Sequence, residues 1–140
     1  DERKEMEGDP IVRAARRARQ RQYAMGNMLA RIRDADVLIT NPTHYAVALR
    51  YRKDEAPAPV IIGMGVDHLA LLMRKEALKH DVLRIENRKL ARALYAKGKV
   101  DHMIPDEFYG AVAQVLAVVY RKRAQRRMNL GLPPGPPPGG

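Results

Sequence analysis

The stretch of sequence that decides the fold is residues 37–51, VLITNPTHYAVALRY. Residues 37–40 form a short apolar run of strand-forming residues. Residues 45–51 alternate between larger apolar side chains and small or polar ones, as a half-buried strand does. Between the two runs stands Asn41-Pro42-Thr43-His44, which begins with two common turn residues. We therefore expect a hairpin whose paired strands cover residues 36–40 and 45–51.

A strand–helix–strand unit follows the hairpin. Residues 60–62 and 82–86 are short apolar runs that predict a third and a fourth strand. The segment between them has its apolar residues on one helical face, which predicts a helix over 67–80 with Asp67 as its N-cap. Because a crossover unit of this kind joins strands that run in the same direction, we expect these two strands to be parallel.

Two further helices close the globular part. Asn87 is placed to cap a short helix that ends at Gly98, and Pro105 is placed to open the last helix at its first position. The fold class predicted from all these segments is α/β. Its core is a small mixed four-stranded sheet flanked by about four helices, and a long N-terminal linker helix precedes it.

The linker helix and the C-terminal tail carry the excess positive charge of the chain. Residues 11–33 predict a helix of about 35 Å, with a possible break at Gly26-Asn27. Residues 10–33 hold seven Arg and no acid, residues 121–140 hold five basic residues and no acid, and residues 34–120 hold twelve basic and eleven acidic residues. A nearly neutral core with basic arms favours arms that lie against an anionic surface, which is a membrane, a nucleic acid or an acidic partner.

Composition excludes several classes of site. The chain has no Cys, so it has no disulfide framework, thiolate zinc site or cysteine nucleophile. No run of apolar residues reaches the ~20 that span a bilayer. The four His residues show no pair at the i, i+4 spacing of a helical metal clamp, and the Gly63-Met64-Gly65 segment lacks the ending of a phosphate loop. We expect neither a metal nor a cofactor.

The Asn41-Pro42 pair has a chemistry of its own. Asparagine usually deamidates when the next backbone N–H attacks its side chain, but Pro42 has no N–H. The remaining cyclisation runs the other way: the Asn41 side-chain nitrogen attacks the Asn41 carbonyl carbon, and the Pro42 nitrogen leaves. This reaction needs a turn that holds the amide near attack distance, a base, a donor on the carbonyl oxygen and an acid for the leaving nitrogen.

Thr43 and His44 are plausible helpers in this reaction because they lie on the same turn. The residues alone leave their roles open, and they also leave open that the four residues form only a hairpin turn. Two other interpretations remain. The basic arms fit a nucleic-acid-binding α/β module, and a small α/β enzyme would place a pocket at the carboxyl edge of the sheet, although no catalytic set for it is visible.

The sequence closely resembles the cytoplasmic domain of the FlhB/YscU family, the substrate-specificity switch proteins of bacterial type III export. The resemblance covers residues 7–120 and includes four segments in order: Glu7-Gly8-Asp9-Pro10, Asn41-Pro42-Thr43-His44 running into YAVAL, Ala91-Arg92-Ala93-Leu94-Tyr95, and residues 104–120. The segment YAVAL, residues 45–49, is more similar to the flagellar branch of the family than to the virulence injectisome branch, which remains the alternative.

The resemblance implies a function and a site. It implies single-turnover self-cleavage between Asn41 and Pro42, with Thr43 and His44 completing the site and the two pieces staying folded together. It further implies that the protein switches flagellar export from rod and hook proteins to filament proteins. It does not imply a turnover enzyme.

The resemblance also implies a domain organisation and a set of partners. Residues 1–34 would be a basic linker helix that follows a membrane domain, residues 35–124 the self-cleaving switch domain, and residues 125–140 a disordered Pro/Gly-rich tail. The expected location is the cytoplasmic face of the bacterial inner membrane. The expected partners are other export-gate membrane proteins, a hook-length control protein, export substrates and chaperones, and an anionic membrane surface that residues 10–33 contact. Nucleic acid is not expected among them.

Overall fold

The computed structural model describes residues 9–42 and 44–133. Within those residues it has four helices and four strands. In chain order they are α1 (Pro10–Arg31), β1 (Val37–Asn41), β2 (Tyr45–Arg50), β3 (Val60–Val66), α2 (Asp67–Lys79), β4 (Arg84–Glu86), α3 (Arg88–Lys97) and α4 (Tyr109–Asn129). Single 3₁₀ turns at Ile32–Asp34 and Asp106–Phe108 precede β1 and α4. The predicted α/β class, with a four-stranded sheet and a long N-terminal helix, is confirmed.

The four strands form one mixed sheet in the order β3-β2-β1-β4. β1 and β2 pair antiparallel from Val37 opposite Leu49 to Asn41 opposite Tyr45. β2 also pairs antiparallel with β3, and β1 pairs parallel with β4. β3 and β4 therefore run in the same direction, as predicted, but from opposite edges of the sheet, with the hairpin between them.

The alternating side chains of the hairpin feed two cores, one on each face of the sheet. Val37, Ile39, Val47 and Leu49 lie in the core that α3 and α4 cover. The intervening residues Leu38, Ala46 and Ala48 lie in the second core, which α2 and the 3₁₀ turn at Ile32–Asp34 cover. The period-two pattern of residues 37–49 thus fixes which helix packs on which face.

β3 continues to Val66, four residues beyond the predicted strand. Gly63 and Gly65 lie inside this strand, at positions where side chains from neighbouring helices leave little room for a Cβ. A Cβ on Gly63 would approach Met28 Cγ to 3.2 Å, and a Cβ on Gly65 would approach Met73 Sδ to 2.6 Å. The glycines therefore allow α1 and α2 to approach the sheet closely.

The predicted helix caps are confirmed at one helix and wrong at two. The Asn87 side chain accepts a hydrogen bond from Leu90 N at 3.1 Å, and α3 ends at Gly98, as expected. Asp67 does not cap α2: its φ of 51° places it in the left-handed region, and the N-cap residue is Val66. Pro105 has an extended ψ of 143° and precedes a 3₁₀ turn, so α4 begins later, at Tyr109.

The linker helix is unbroken at Gly26-Asn27, so the predicted break is wrong. Glycine costs a helix interior about 1 kcal/mol, which weakens a helix without interrupting its hydrogen bonds. The N-cap carboxylate of Asp9 accepts from Ile11 N at 2.8 Å, and none of the residues of α1 is buried. At its end Arg31 hydrogen-bonds to Asp101, and this contact lowers the pKa of that carboxyl.

The C-terminal helix is longer than expected. α4 runs through Asn129, so the disordered tail predicted from residue 125 is wrong for residues 125–129. Leu130 N donates to Arg126 O at 3.2 Å, which continues the helical pattern to its last turn. Residues 134–140 of the predicted tail and residues 1–8 of the predicted linker lie outside the described residues.

A buried carboxylate joins three segments at the start of β1. Asp36 is fully buried and accepts from Tyr51 N at 2.7 Å, from Arg52 at 2.6 Å and from Arg123 on α4 at 3.1 Å. A second Arg123 nitrogen donates to the Asp36 carbonyl at 3.1 Å. The carboxylate is therefore both paired and hydrogen-bonded, which offsets the cost of burying its charge.

We predict that Asp36→Ala destabilises the fold by about 3–5 kcal/mol, because removing one partner of a buried ion pair leaves the other charges uncompensated. Urea unfolding followed by circular dichroism measures this loss. The matched control is Glu55→Ala, which removes an exposed carboxylate from Arg50 and should change the unfolding midpoint little. Equal midpoints for the Asp36 variant and the unmodified chain would contradict the prediction.

Candidate functional site

The turn Asn41-Pro42-Thr43-His44 lies at one edge of the sheet. β1, β3 and β4 run in the same direction, so their carboxyl ends meet at this edge, and α2 and α3 begin there directly after β3 and β4. Loops at such an edge are where α/β proteins usually place their functional groups. The sheet therefore presents the turn beside the first turns of two helices.

Asn41 is held on the amino side of the turn by the hairpin ladder. It is the last residue of β1 and lies opposite Tyr45, the first residue of β2. The Asn41 carbonyl oxygen accepts a hydrogen bond from the main-chain N–H of His44 at 3.0 Å. That oxygen belongs to the Asn41–Pro42 peptide bond, so the carbonyl already faces a donor that can stabilise negative charge on it.

Pro42 is held on the other side by a side chain from α2. The Pro42 carbonyl oxygen accepts a hydrogen bond from an Arg74 guanidinium nitrogen at 2.8 Å. Arg74 is half-buried, and it is 32 residues away along the chain. The two residues that flank the Asn41–Pro42 bond are thus anchored to different parts of the fold.

His44 lies at the end of the turn and points toward the beginning of α2. Its carbonyl accepts from Asp67 N at 2.9 Å, and its ring nitrogen Nδ1 is 3.9 Å from an Asp67 carboxylate oxygen. The side chains are 63% and 76% exposed, so water screens this pair. The left-handed φ of Asp67 is the local conformation that brings its N–H to the His44 carbonyl.

The residues with shifted pKa values lie away from this turn. The hydrogen bond from Arg50 lowers the pKa of Glu55, and the hydrogen bond from Arg31 lowers the pKa of Asp101. Arg50 is the last residue of β2, at the end of the strand opposite to the turn. These shifts reflect surface ion pairs that fasten the loops after β2 and α3.

Three of the four predicted site residues, Asn41, Pro42 and His44, lie together on the turn, and Thr43 lies outside the described residues. Sequence reasoning missed Arg74 as a neighbour of the turn, because nothing in the local sequence of α2 links it to a residue 32 positions earlier. It assigned Asp67 to a helix cap, although the pattern of Asp after a strand also fits a residue that contacts a neighbouring loop.

A separate groove of about 250 Å³ is lined by apolar and tyrosine side chains. Its lining residues are Tyr51, Pro57, Ala58, Pro59, Tyr109, Ala113, Leu116, Ala117 and Tyr120. Its lining contains no carboxylate, histidine or lysine. Among the described residues, no three His, Asp or Glu side chains form a cluster that could hold a metal ion.

None of the helices within residues 9–42 and 44–133 is both long and apolar enough to cross a membrane.

The chain is similar in sequence to flagellar biosynthetic proteins from several bacteria. The chain is 50% identical over 123 residues, or 88% of its length, to the flagellar biosynthetic protein FlhB of Bacillus subtilis. It is 41% identical over 136 residues, or 97% of its length, to the FlhB of Salmonella typhimurium. It covers 34% and 36% of these two proteins, so it spans about a third of the length of the curated relatives it matches.

Solved structures show the same fold. The crystal structure of the cytoplasmic domain of FlhB from Shewanella putrefaciens matches 83% of this chain and 87% of its own, with a TM-score of 0.69 and 36% identity. A mutated EscU C-terminal domain matches 67% of this chain and 94% of its own, with a TM-score of 0.65 and 34% identity. The model of the FlhB HrpN YscU SpaS family matches residues 1–119, and the chain therefore belongs to that family.

Proposed function

We propose that this chain cleaves itself between Asn41 and Pro42 as the switch domain of a flagellar type III export component. The observation that carries the proposal is the hydrogen bond from His44 N to the Asn41 carbonyl, because it places a donor on the oxygen that becomes negative during attack. Pro42 closes the competing deamidation route, since it has no N–H. The family membership and the geometry of the turn support the same reaction.

The proposed reaction is an intramolecular cyclisation. The Asn41 side-chain nitrogen forms a bond to the Asn41 carbonyl carbon and gives up a proton, while the bond from that carbon to the Pro42 nitrogen breaks. The Pro42 nitrogen takes up a proton and becomes a free secondary amine, and the first piece ends in a succinimide ring. Nucleophile and electrophile belong to the same residue, so each molecule reacts once and no turnover follows.

The side chains of Thr43 and His44 are the proposed proton carriers. The His44 ring lies on the turn, 63% exposed, and Asp67 lies 3.9 Å from its Nδ1. An imidazole in this place can pass protons between the attacking amide and the leaving nitrogen by way of water. This role is separate from that of the His44 main-chain N–H, which any residue at the position would supply.

The two pieces should remain together after cleavage. Piece 1–41 contains β1, which lies between β2 and β4 and is buried along its length from Val37 to Thr40. Asp36 on this piece bonds to Arg52 and Arg123 on the other piece. Cutting the turn removes neither the ladder nor this ion cluster, so the fold has little reason to change.

The role of the whole protein extends beyond this chain. We propose that the full-length protein is an integral inner-membrane protein that holds this domain on the cytoplasmic face, and that it switches export from rod and hook proteins to filament proteins. Its proposed partners are the other export-gate membrane proteins, a hook-length control protein, and export substrates with their chaperones. The 50% and 41% identity to flagellar relatives favours this branch over the injectisome branch.

The proposed contact of α1 is an anionic lipid surface. None of the residues of α1 is buried. Its first five Arg residues, between residues 13 and 21, are exposed, whereas Arg31 bonds to Asp101. Nucleic acid is the alternative occupant for such an arm. Residues 34–120 carry twelve basic and eleven acidic residues, and so small an excess of positive charge on the globular part favours the membrane.

Purified chain should separate into pieces 1–41 and 42–140 on a denaturing gel while eluting as one species in native chromatography. Asn41→Ala should abolish cleavage because it removes the nucleophile, and His44→Ala should slow it by about 10- to 100-fold if the imidazole carries protons. Intact-mass spectrometry over several days at neutral pH measures the products.

The matched control for His44→Ala is His68→Ala. His68 is the second residue of α2, directly after Asp67, and its imidazole is exposed. Cleavage of Asn41→Ala at the rate of the unmodified chain would show that a protease or another reaction cuts the bond. A chain that stays intact throughout would contradict the proposed function itself.

Replacing Arg16, Arg17 and Arg19 by Gln should weaken binding to phosphatidylserine vesicles by about 10- to 100-fold, because each basic group near anionic lipid contributes about 1 kcal/mol. Vesicle co-sedimentation at increasing salt measures the effect. The matched control replaces Arg88, Lys89 and Arg92, which are equally basic and exposed on α3.

Equal losses in the two triple variants would contradict a specific role for α1. Random duplex DNA that removes the chain from vesicles at physiological salt, and then binds it with nanomolar affinity, would assign the arm to nucleic acid instead.

A further inference from the structure

We propose that Arg74 is a positioning residue for self-cleavage, and that its guanidinium sets the orientation of the Asn41–Pro42 peptide by holding the Pro42 carbonyl. The inference rests on the proposed function, since it concerns the same bond. Arg74 does not touch the reacting atoms. It contacts the carbonyl one residue beyond the bond that breaks, at 2.8 Å.

The anchor for this contact is rigid. Arg74 follows Met73, which is fully buried, and α2 is fastened to the sheet through Ala70, Met73 and Ala77. The Arg74 side chain is itself half-buried, so its stem packs against the protein before the planar head reaches the turn. A charged donor on a neutral carbonyl also makes a stronger hydrogen bond than a neutral donor does.

The ring of Pro42 links the position of its carbonyl to the orientation of the Asn41–Pro42 peptide bond. In most residues, a fixed carbonyl still allows rotation about φ, so the preceding peptide would remain free to turn. The ring of Pro42 locks φ near −65°. Between the held Pro42 carbonyl and the Asn41–Pro42 peptide, ψ of Pro42 is then the one rotation left, so this contact restricts the orientation of that peptide more at proline than at any other residue.

The other side of the same peptide is held independently. The His44 N–H donates to the Asn41 carbonyl oxygen at 3.0 Å, and Asn41 itself is paired with Tyr45 in the ladder. With both sides fixed, the Asn41 amide attacks a carbonyl of constant orientation. Reactions of this kind depend steeply on such alignment, because a poor amide nucleophile gains most from a short, directed approach.

The test follows cleavage in newly made chain. Cell-free translation with labelled methionine marks both pieces, since Met25 and Met28 lie in the first and Met64 and Met73 in the second. A chase on denaturing gels then gives the cleavage rate. The variants are Arg74→Met, which keeps the stem, Arg74→Lys, which keeps a charged donor, and Lys79→Met, which removes one positive charge from the same helix as a matched control.

Arg74→Met should cleave about 10- to 100-fold more slowly, as expected for the loss of a charge-assisted hydrogen bond from the aligned state. Arg74→Lys should be intermediate, and Lys79→Met should match the unmodified chain. In Arg74→Ala, millimolar methylguanidinium should restore part of the rate, which a purely structural role would not allow. Thermal unfolding of Asn41→Ala chains carrying each Arg74 change should show a retained fold.

Several results would overturn the inference. One is cleavage of Arg74→Met at the rate of the unmodified chain. Another is slow cleavage of Arg74→Lys combined with a cleavage rate of Arg74→Ala that methylguanidinium does not raise. The defect of the Arg74 variants would then be structural. An unmodified chain that stays uncut, like Asn41→Ala, would instead contradict the proposed function, so the two failures are distinguishable.

Discussion

The antiparallel ladder between β1 and β2 is the interaction on which the rest of the structure depends. Its alternation sends Val37, Ile39, Val47 and Leu49 to one face and Leu38, Ala46 and Ala48 to the other, so both cores are built on the same two strands. β3 and β4 attach to its two outer edges. The ladder also ends at the Asn41–Tyr45 pair, so Asn41 is held by the ladder while residues 42–44 connect the two strands.

This arrangement leads us to expect that the proposed interruption of the chain would preserve the fold. The hydrogen bonds of β1 reach β2 on one side and β4 on the other, and Asp36 ties its beginning to Arg52 and Arg123. A break after Asn41 therefore converts an intramolecular hairpin into an intermolecular one that already has every contact formed. What changes is confined to the turn: the contacts of the Pro42 and His44 carbonyls with Arg74 and Asp67 belong to a segment that gains a free end.

Local signals in the sequence predicted the hairpin, the Asn87 cap and the end of α3 at Gly98, because each depends on residues within a few positions. The prediction of a break in the linker helix at Gly26 was wrong. The cost of one glycine in a helix, about 1 kcal/mol, is small compared with the summed hydrogen bonds of 22 helical residues. The conformation of Asp67 depends on a residue far along the chain, because its N–H donates to the His44 carbonyl. The turn itself was found because Asn followed by Pro has a distinctive chemistry, whereas Arg74 has no sequence signal and emerges only from the packing of α2.

The chemistry proposed for the turn needs few functional groups. A turnover enzyme must bind a substrate, release a product and restore its groups, which requires a pocket with a convergent acid and base. In the proposed reaction the covalent chain supplies the substrate at a fixed distance, and each molecule reacts once. Orientation is then the main requirement, and hydrogen bonds at the Asn41 and Pro42 carbonyls can provide it from a ladder and a helix that the fold needs in any case. A half-buried Asn41–Pro42 bond between two buried strands is a suitable place for such a reaction, because the strands hold its geometry before and after the proposed cleavage.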